Sequence, residues 1–562
     1  MKLPGMAYGD GIRKGTQTRF GGLDHNLGAG DGTLWDMKNL TGDYYPLLAT
    51  RRKRRLYGAL GTPYGMFSWD GLAWVDGTTF YYKGEAKGTV AASRKRFAAL
   101  GAYIVILPDK KYFNTLTGEF GALESRWSGG SLTFTNGKLF EEEAEANCIQ
   151  ASGVNWGAYF RKGDAVTISG CTKRPENNKT PVIREIDGDK LYFYEYIFTL
   201  DGSEGTEPYT ETGSLKVERT VPDLLYLCEN ENRLWGCDGT TIYASKLGDI
   251  FNWNVYEGLA TDSYAVDTGS AGTFTGCISF LGYPIFFKED HIYKVYGSRP
   301  DNYEIMSSAT LGVAKGSDRS LAIAGEMLFY LSSAGFMAYS GGIPQPVGSA
   351  LGMERHRNAV GGSDGLKYYV SADRAMTPSR GHARSNPAQP LDGAVAGSTE
   401  DAVGVKRLYV YDTQKRTWHI EDETAAMDFC RWDGTTYLLA EDGKIWTVDR
   451  NEGGTTEEEL DWFAEFGDFT DDDPNKKGVS KIQIRLELDE GAYCQMQMRF
   501  DSVGDWIPVG EKLTADVKRS YYLAVVPRRA DHYRLRLEGH GGCRVYSIAR
   551  ERYSGSEMKS RE

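Results

Sequence analysis

The side chains best suited to chemistry are few and scattered. Seven histidines stand at His25, His291, His356, His382, His419, His532 and His540. None falls in an HExxH or HxH spacing, and no GxSxG turn presents a serine nucleophile. Distant His, Ser and Asp residues remain free to converge in space, but no motif supports a triad. Eight cysteines (Cys148, Cys171, Cys228, Cys237, Cys277, Cys430, Cys494 and Cys543) include no CxxC pair, which argues against a structural zinc site. Several lie in apolar runs such as "LLYLCEN" and "TGCISF" and read as buried free thiols. The acidic runs "FEEEAEA" (Glu141 to Ala146) and "TDDDPN" (Asp471 to Asp473) lack the ligand spacing and turn glycine of a calcium loop. They read as solvated loops. No catalytic residue, metal or cofactor is expected, and no enzymatic activity.

One dense basic cluster exists: Arg51, Arg52, Lys53, Arg54 and Arg55, in a chain of formal net charge −12. An acidic chain is a poor general nucleic-acid binder. On an extended strand, Arg52 and Arg54 would face one side and Arg51, Lys53 and Arg55 the other. The cluster is the candidate contact with a neighbouring subunit or with DNA. "SWDGLAW" and "DSVGDW" place Asp, Gly and Trp in neither the order nor the separation of the Asp-box turns of sialidases.

The elements that must position these residues are short strands. The chain has 562 residues, with 68 Gly, 35 Tyr and 18 Pro, a balance that suits many strands joined by tight turns. Asp-Gly-Thr-Thr occurs three times, at Asp76–Thr79, Asp238–Thr241 and Asp433–Thr436, each after a Trp-containing run and before a Tyr-rich one. Asp-Gly supplies residues that accept positive φ, and the Thr and Tyr that follow favour a pleated strand. The repeat therefore reads as one hairpin turn used three times, not as a ligand site.

Blocks of three or four such strands recur with irregular spacing, which predicts an all-β chain built on a β-propeller of five to seven blades. The expected parts are an extended N-terminal arm (1–56), a first propeller part (57–126), an inserted small β-barrel (127–218), a second propeller part (219–453), a C-terminal β-sandwich (454–553) and a flexible tail (554–562). The arm carries anchors at Leu34, Trp35, Met37, Leu40, Tyr45 and Leu47, for docking on its own domain or on a neighbour. The stretch 373–406 is rich in Gly, Pro and Ser and reads as a long contact loop. Helix is scarce, invited only by "EEEAEANCI" and short turns. "MKLPGMAYGDGIRKG" has no apolar core for a signal peptide, and no run reaches spanning length.

"NRLWGCDGTTIYASKLGDIFNWNVYEG" (Asn232 to Gly258) resembles a segment of the virion β-propeller proteins of tailed bacteriophages: the tail nozzle, tail tubular and stabilisation proteins of short-tailed phages. The residues that carry the likeness are Arg233, Leu234, Ser245, Gly248, Asp249, Asn252 and Trp253, with Gly21, Gly22, Asn39, Leu40 and Arg51 near the N-terminus. The likeness spans about two thirds of the chain. It implies a structural virion protein made in the host cytoplasm, a homo-oligomeric ring, usually a hexamer, around the DNA exit channel. Adaptor proteins and tail fibres would be its partners, and DNA would pass through during ejection. A glycan-binding or glycan-degrading propeller is the alternative, and an intracellular scaffold propeller a third.

Overall fold

The protein is described here by a computed structural model, which covers residues 13–26, 30–136, 147–194, 197–202, 207–352, 354–375, 405–448, 454–470, 476–501, 503–514, 517–526 and 528–554. The chain divides into two compact units: one continuous, Tyr64–Ala314, and one discontinuous, Met1–Pro63 with Lys315–Glu562. Among the described residues, short 3-10 turns are the only helical pieces. The fold class is all-β, with β-propeller blades, an inserted barrel and a C-terminal sandwich.

Among the described residues, seven four-stranded antiparallel meanders have the strand order of propeller blades. Four lie in the continuous unit, over 63–89, 96–122, 226–267 and 276–309. Three lie in the discontinuous unit, over 322–346, 355–420 and 426–447, the last completed by the strand Arg55–Ala59. Their second strands, Tyr103–Leu107, Tyr283–Phe287 and Met327–Ser332, bury nearly every residue. Such strands are covered on both faces, so they read as unbroken apolar runs. The fourth strands of two of these meanders face solvent more: Glu304–Ala309 and Gln345–Pro346 are mostly exposed.

The three Asp-Gly-Thr-Thr copies all join paired strands, but by three different turns. Asp76 pairs with Thr79, leaving Gly77 (φ +58°) and Thr78 as the loop. Trp432 pairs with Thr435 around Asp433 (φ +47°) and Gly434 (φ +69°), both left-handed as a type I′ turn requires. At the middle copy Cys237 pairs with Ile242, and the Asp238 carboxylate accepts from the backbone N–H of Thr240 and Thr241, both at 2.8 Å. One tetrapeptide thus serves three turn types, and the expectation of a single repeated turn is corrected.

The inserted barrel comprises Ser125–Thr135, Cys148–Gln150, Thr167–Ser169, Ile183–Asp187, Lys190–Phe193 and Tyr209–Arg219. Its sheet closes on itself. Ile168 N–H donates to Lys179 O at 2.7 Å, and Val166 N–H donates to Pro181 O at 3.0 Å. This ties the run that leads into Ile183–Asp187 to the opposite edge. A register shift between Gly129 and Ser131 breaks the longest pairing, where a bulge lets a sheet curl. Trp127, Phe134, Trp156, Phe160, Leu191 and Val217 fill the interior.

The sandwich is where the sequence expectation needs most correction. One sheet orders Leu34–Lys38, Asp461–Phe466, Tyr533–His540, Tyr493–Phe500 and Val503–Leu513. The other orders Leu40–Thr41, Leu48–Thr50, Cys543–Ser554, Lys477–Leu488 and Arg519–Ala524, with Arg13–Gln17 paired to Cys543–Ser554. The N-terminal segment is therefore not an extended arm: its strands belong to both sheets. Leu34, Met37 and Leu40 enter the core with Trp462, Ile484, Met496 and Leu537, and the apolar area they remove from water holds them there. Of the other expected anchors, Trp35 and Tyr45 stay exposed. Arg55–Ala59 is likewise no part of a first blade but the fourth strand of the seventh. Most of the expected contact loop (376–404), most of the acidic helical stretch (137–146), the Asp471–Asp473 run and the tail from 555 lie outside the described residues.

Candidate functional site

The basic cluster is largely consumed inside the chain. Residues 51–54 run as irregular backbone between two strands, so period-two alternation does not apply, and Arg51 and Arg54 are the pair that turns inward. Their side chains are 5% and 2% exposed. Arg54 reaches Glu421 at 2.5 Å and Asp422 at 2.8 Å; Arg51 reaches Glu457 at 2.6 Å, Asp422 at 3.2 Å and the Asn39 side-chain oxygen at 2.8 Å. Burial pushes the Asp422 carboxyl up, but Arg54 and Arg51 more than reverse this and hold it well below the usual range. Lys53 pairs with Glu459, and Arg55 is half-buried at the head of its strand. The expectation that all five contact a neighbour or DNA is corrected: two buried guanidiniums facing three carboxylates are a structural network. Of the five, only Arg52 is exposed.

Burial also brings together groups that the sequence leaves far apart. His25 (3.4 Å), His356 (3.6 Å) and Arg374 all pair with Glu354, and the Tyr409 hydroxyl lies 3.4 Å from it. Burial raises the Glu354 pKa, and the facing His356, Arg374 and His25 groups more than reverse the shift, so the carboxylate stays ionised. Separately, Asp501, Asp531 and His532 are the one trio among the described residues whose ligand atoms lie close enough to hold a metal ion. No spacing rule exposes it, because Asp501 comes from a different hairpin.

The seven residues of the phage-like motif converge on one place. Arg233 is buried and donates to the carbonyls of Ser245 at 2.8 Å and Ala260 at 2.7 Å. The Ser245 hydroxyl accepts from Leu234 N–H at 3.0 Å, and Gly248 N–H donates to Asn232 O at 2.7 Å. Asn252 donates to Asp249 at 2.6 Å and accepts from Ala165 N–H of the barrel at 2.9 Å. Trp253, 2% exposed, caps Ile250 O at 3.0 Å. A buried Arg219–Asp164 pair lies alongside, its guanidinium 4.9 Å from the Phe251 ring centroid. The motif thus folds the loop after Thr241–Ala244 into a latch, and the latch holds the barrel.

Between latch and barrel lies a cavity of about 360 Å³. The barrel contributes Lys179, Pro181, Tyr194 and Ile197; the latch contributes Asn254, Tyr256 and Glu257. Tyr194 and Tyr256 are 41% and 61% exposed, so both rings are open to a ligand. The Asn254 side-chain oxygen is buried without a hydrogen-bond partner among the described residues, a costly state unless something donates to it. The Lys179 ammonium donates to Ile197 O at 2.7 Å, and Glu257 is the one carboxylate among the lining residues. Aromatic faces, an unsatisfied acceptor, an ammonium and a carboxylate at one mouth can hold a polyhydroxylated ligand. Asn254 and Tyr256 belong to the phage-like string, but no pattern in the sequence places Tyr194 opposite them.

No family model matches the chain, and no curated protein does. Among solved structures, the exo-β-1,3-galactanase of Phanerochaete chrysosporium is similar at 7% identity over 58% of this chain and 95% of that one, with a TM-score of 0.21. A glycoside hydrolase family 43 arabinoxylan arabinofuranohydrolase from Bacillus subtilis is similar at 9% identity, over 57% and 78%, with a TM-score of 0.14. Both are glycoside hydrolases by description, and on that finding the expectation of a chain without enzymatic activity is corrected and withdrawn.

Proposed function

We propose that this is a glycan-binding propeller protein, with the cavity between latch and barrel as its sugar site. The observation that carries the reading is the cavity's lining: two exposed tyrosines beside a buried amide oxygen that lacks a partner among the described residues. Sugar rings offer C–H faces to an aromatic ring and hydroxyls to such an acceptor. Isothermal titration of the full chain against neutral oligosaccharides, with reducing-sugar release followed in the same samples, tests it. Tyr256→Ala should weaken binding about tenfold, as truncating a central aromatic contact does. Undiminished binding by Tyr256→Ala and Tyr194→Ala, or no binding by the parent chain, rejects the site.

A second reading is favoured by the motif itself, whose seven members remain one hydrogen-bonded unit. It makes the chain a tailed-phage virion component: a ring, of six copies by resemblance, near the DNA exit, touching adaptor and fibre proteins. Mass spectrometry of purified particles and light scattering of the isolated protein test it. Absence from the tail, or a strict monomer at virion-like concentrations, counts against it.

A further inference from the structure

A second cavity, of about 420 Å³, lies in the discontinuous unit, where residues 50–53 meet the turn before Cys543–Ser554. Its lining is more polar than apolar. Arg52, Lys53 and Arg544 supply positive charge, and Thr456, Glu459 and Asp489 supply hydroxyl and carboxylate oxygens. Two of these charges answer one another, Lys53 and Glu459. Arg51 is taken by Glu457 and Asp422. Arg52 has no carboxylate partner among the described residues, and the nearest to Arg544 is Glu487 at 3.8 Å.

Both guanidiniums instead line the cavity together with Tyr44. Arg544 lies 4.8 Å from its ring centroid, and the neighbouring Arg52 guanidinium, with that of Arg544, lowers the phenol's pKa. A neutral phenol beside the two forks neutralises neither. Paired planar forks suit a carboxylate, which accepts two parallel N–H bonds. On another wall, the Asp489 backbone N–H donates to Gly542 O at 2.9 Å, and its carboxylate, a group that accepts from hydroxyls, is part of the lining. The volume far exceeds a bare carboxylate and falls in the range of small-molecule sites. The required ligand therefore combines one carboxylate with several hydroxyls.

We propose that this cavity binds a sugar acid of the hexuronate class, its carboxylate between Arg52 and Arg544 and its hydroxyls toward Asp489 and Thr456. This site does not depend on the cavity beside the barrel. The test is calorimetric titration of the full-length protein with glucuronate, glucose and acetate at low and moderate salt. Glucuronate should bind, weakening with salt, while glucose and acetate should each bind at least about tenfold more weakly, since each lacks one half of the recognition. Arg52→Ala, at an exposed position, and Arg544→Ala should each weaken glucuronate binding about tenfold, with Arg52→Lys retaining part of it. Tyr256→Ala should leave it unchanged, which separates this site from the sugar site proposed above. Equal affinity for acetate and glucuronate would mean a bare anion site and would overturn the proposal. So would absence of glucuronate binding, or affinity unchanged in Arg52→Ala and Arg544→Ala when melting shows both folded.

Discussion

Arg54 and Arg52 stand two positions apart and have opposite fates. The Arg54 guanidinium is enclosed with Glu421, Asp422 and Glu457, whereas Arg52 is exposed. Removing one partner from a buried ion network strands the remaining charges in low dielectric. Arg54→Ala should therefore cost about 3–5 kcal/mol in urea unfolding, while Arg52→Ala should cost under about 0.5 kcal/mol. His419 offers a pH test of the same unit. Burial, and then the Lys367 charge, push its pKa down to about 4, against about 6.5 when unfolded. The folded chain thus holds the neutral ring. The resulting stability is complete above the unfolded value and is lost as pH falls from there through the folded value. On the order of 3 kcal/mol should disappear between pH 7 and pH 4, and His419→Gln should show a shallower decline in denaturation curves at those pH values. Neither behaviour was legible in the sequence. A run of five basic residues looks the same whether or not Glu421, Asp422 and Glu457 fold over it.

At the scale of the element, local pattern was informative and tertiary detail was not. Alternation marked strands such as Tyr493–Phe500, whose Cys494, Met496, Met498 and Phe500 are buried. Asp-Gly marked all three hairpins. What it did not reveal was turn type, because that depends on loop length and on what the Asp carboxylate bonds. The difference is measurable. Gly77→Ala and Gly434→Ala force a side chain into left-handed backbone and should each cost about 1 kcal/mol. Gly239 has no positive φ, and a Cβ there would meet its nearest neighbour, a Thr273 methyl, at 3.9 Å, so Gly239→Ala should be near neutral. Thermal unfolding of the three single variants checks the order; equal losses would show that the turns are alike after all. The latch teaches a related lesson. Its residues stood out as a family-like string, but their work, holding a barrel whose partner atom is Ala165 N–H, lies 87 positions away.

At the scale of the molecule, the all-β class, the blades, the barrel and the final sandwich were all readable from strand and turn chemistry. The joining of the two ends was not. Period-two patterns say which face of Leu34–Lys38 is buried, but not that its neighbour is Asp461–Phe466. The anchors Leu34, Met37 and Leu40 were visible as apolar residues in a polar stretch, and only the structure supplies their core. A chain lacking residues 1–50 should lose two flanking sets of sandwich strands and expose Trp462 and Phe466. It should therefore partition to the insoluble fraction or bind a hydrophobic dye where the full chain does not. A soluble, dye-silent truncation would show that the sandwich closes without those strands.

The same joining sets a timetable for biosynthesis. Asp31 and Arg550 form an ion pair across 519 positions, so at ordinary translation speeds the early strands leave the ribosome roughly half a minute to two minutes before their partners. The continuous unit can finish on the nascent chain during that interval, while Phe20, Leu34 and Met37 wait uncovered. Slow, non-local pairing of this kind makes the newborn polypeptide a natural client for a holding chaperone.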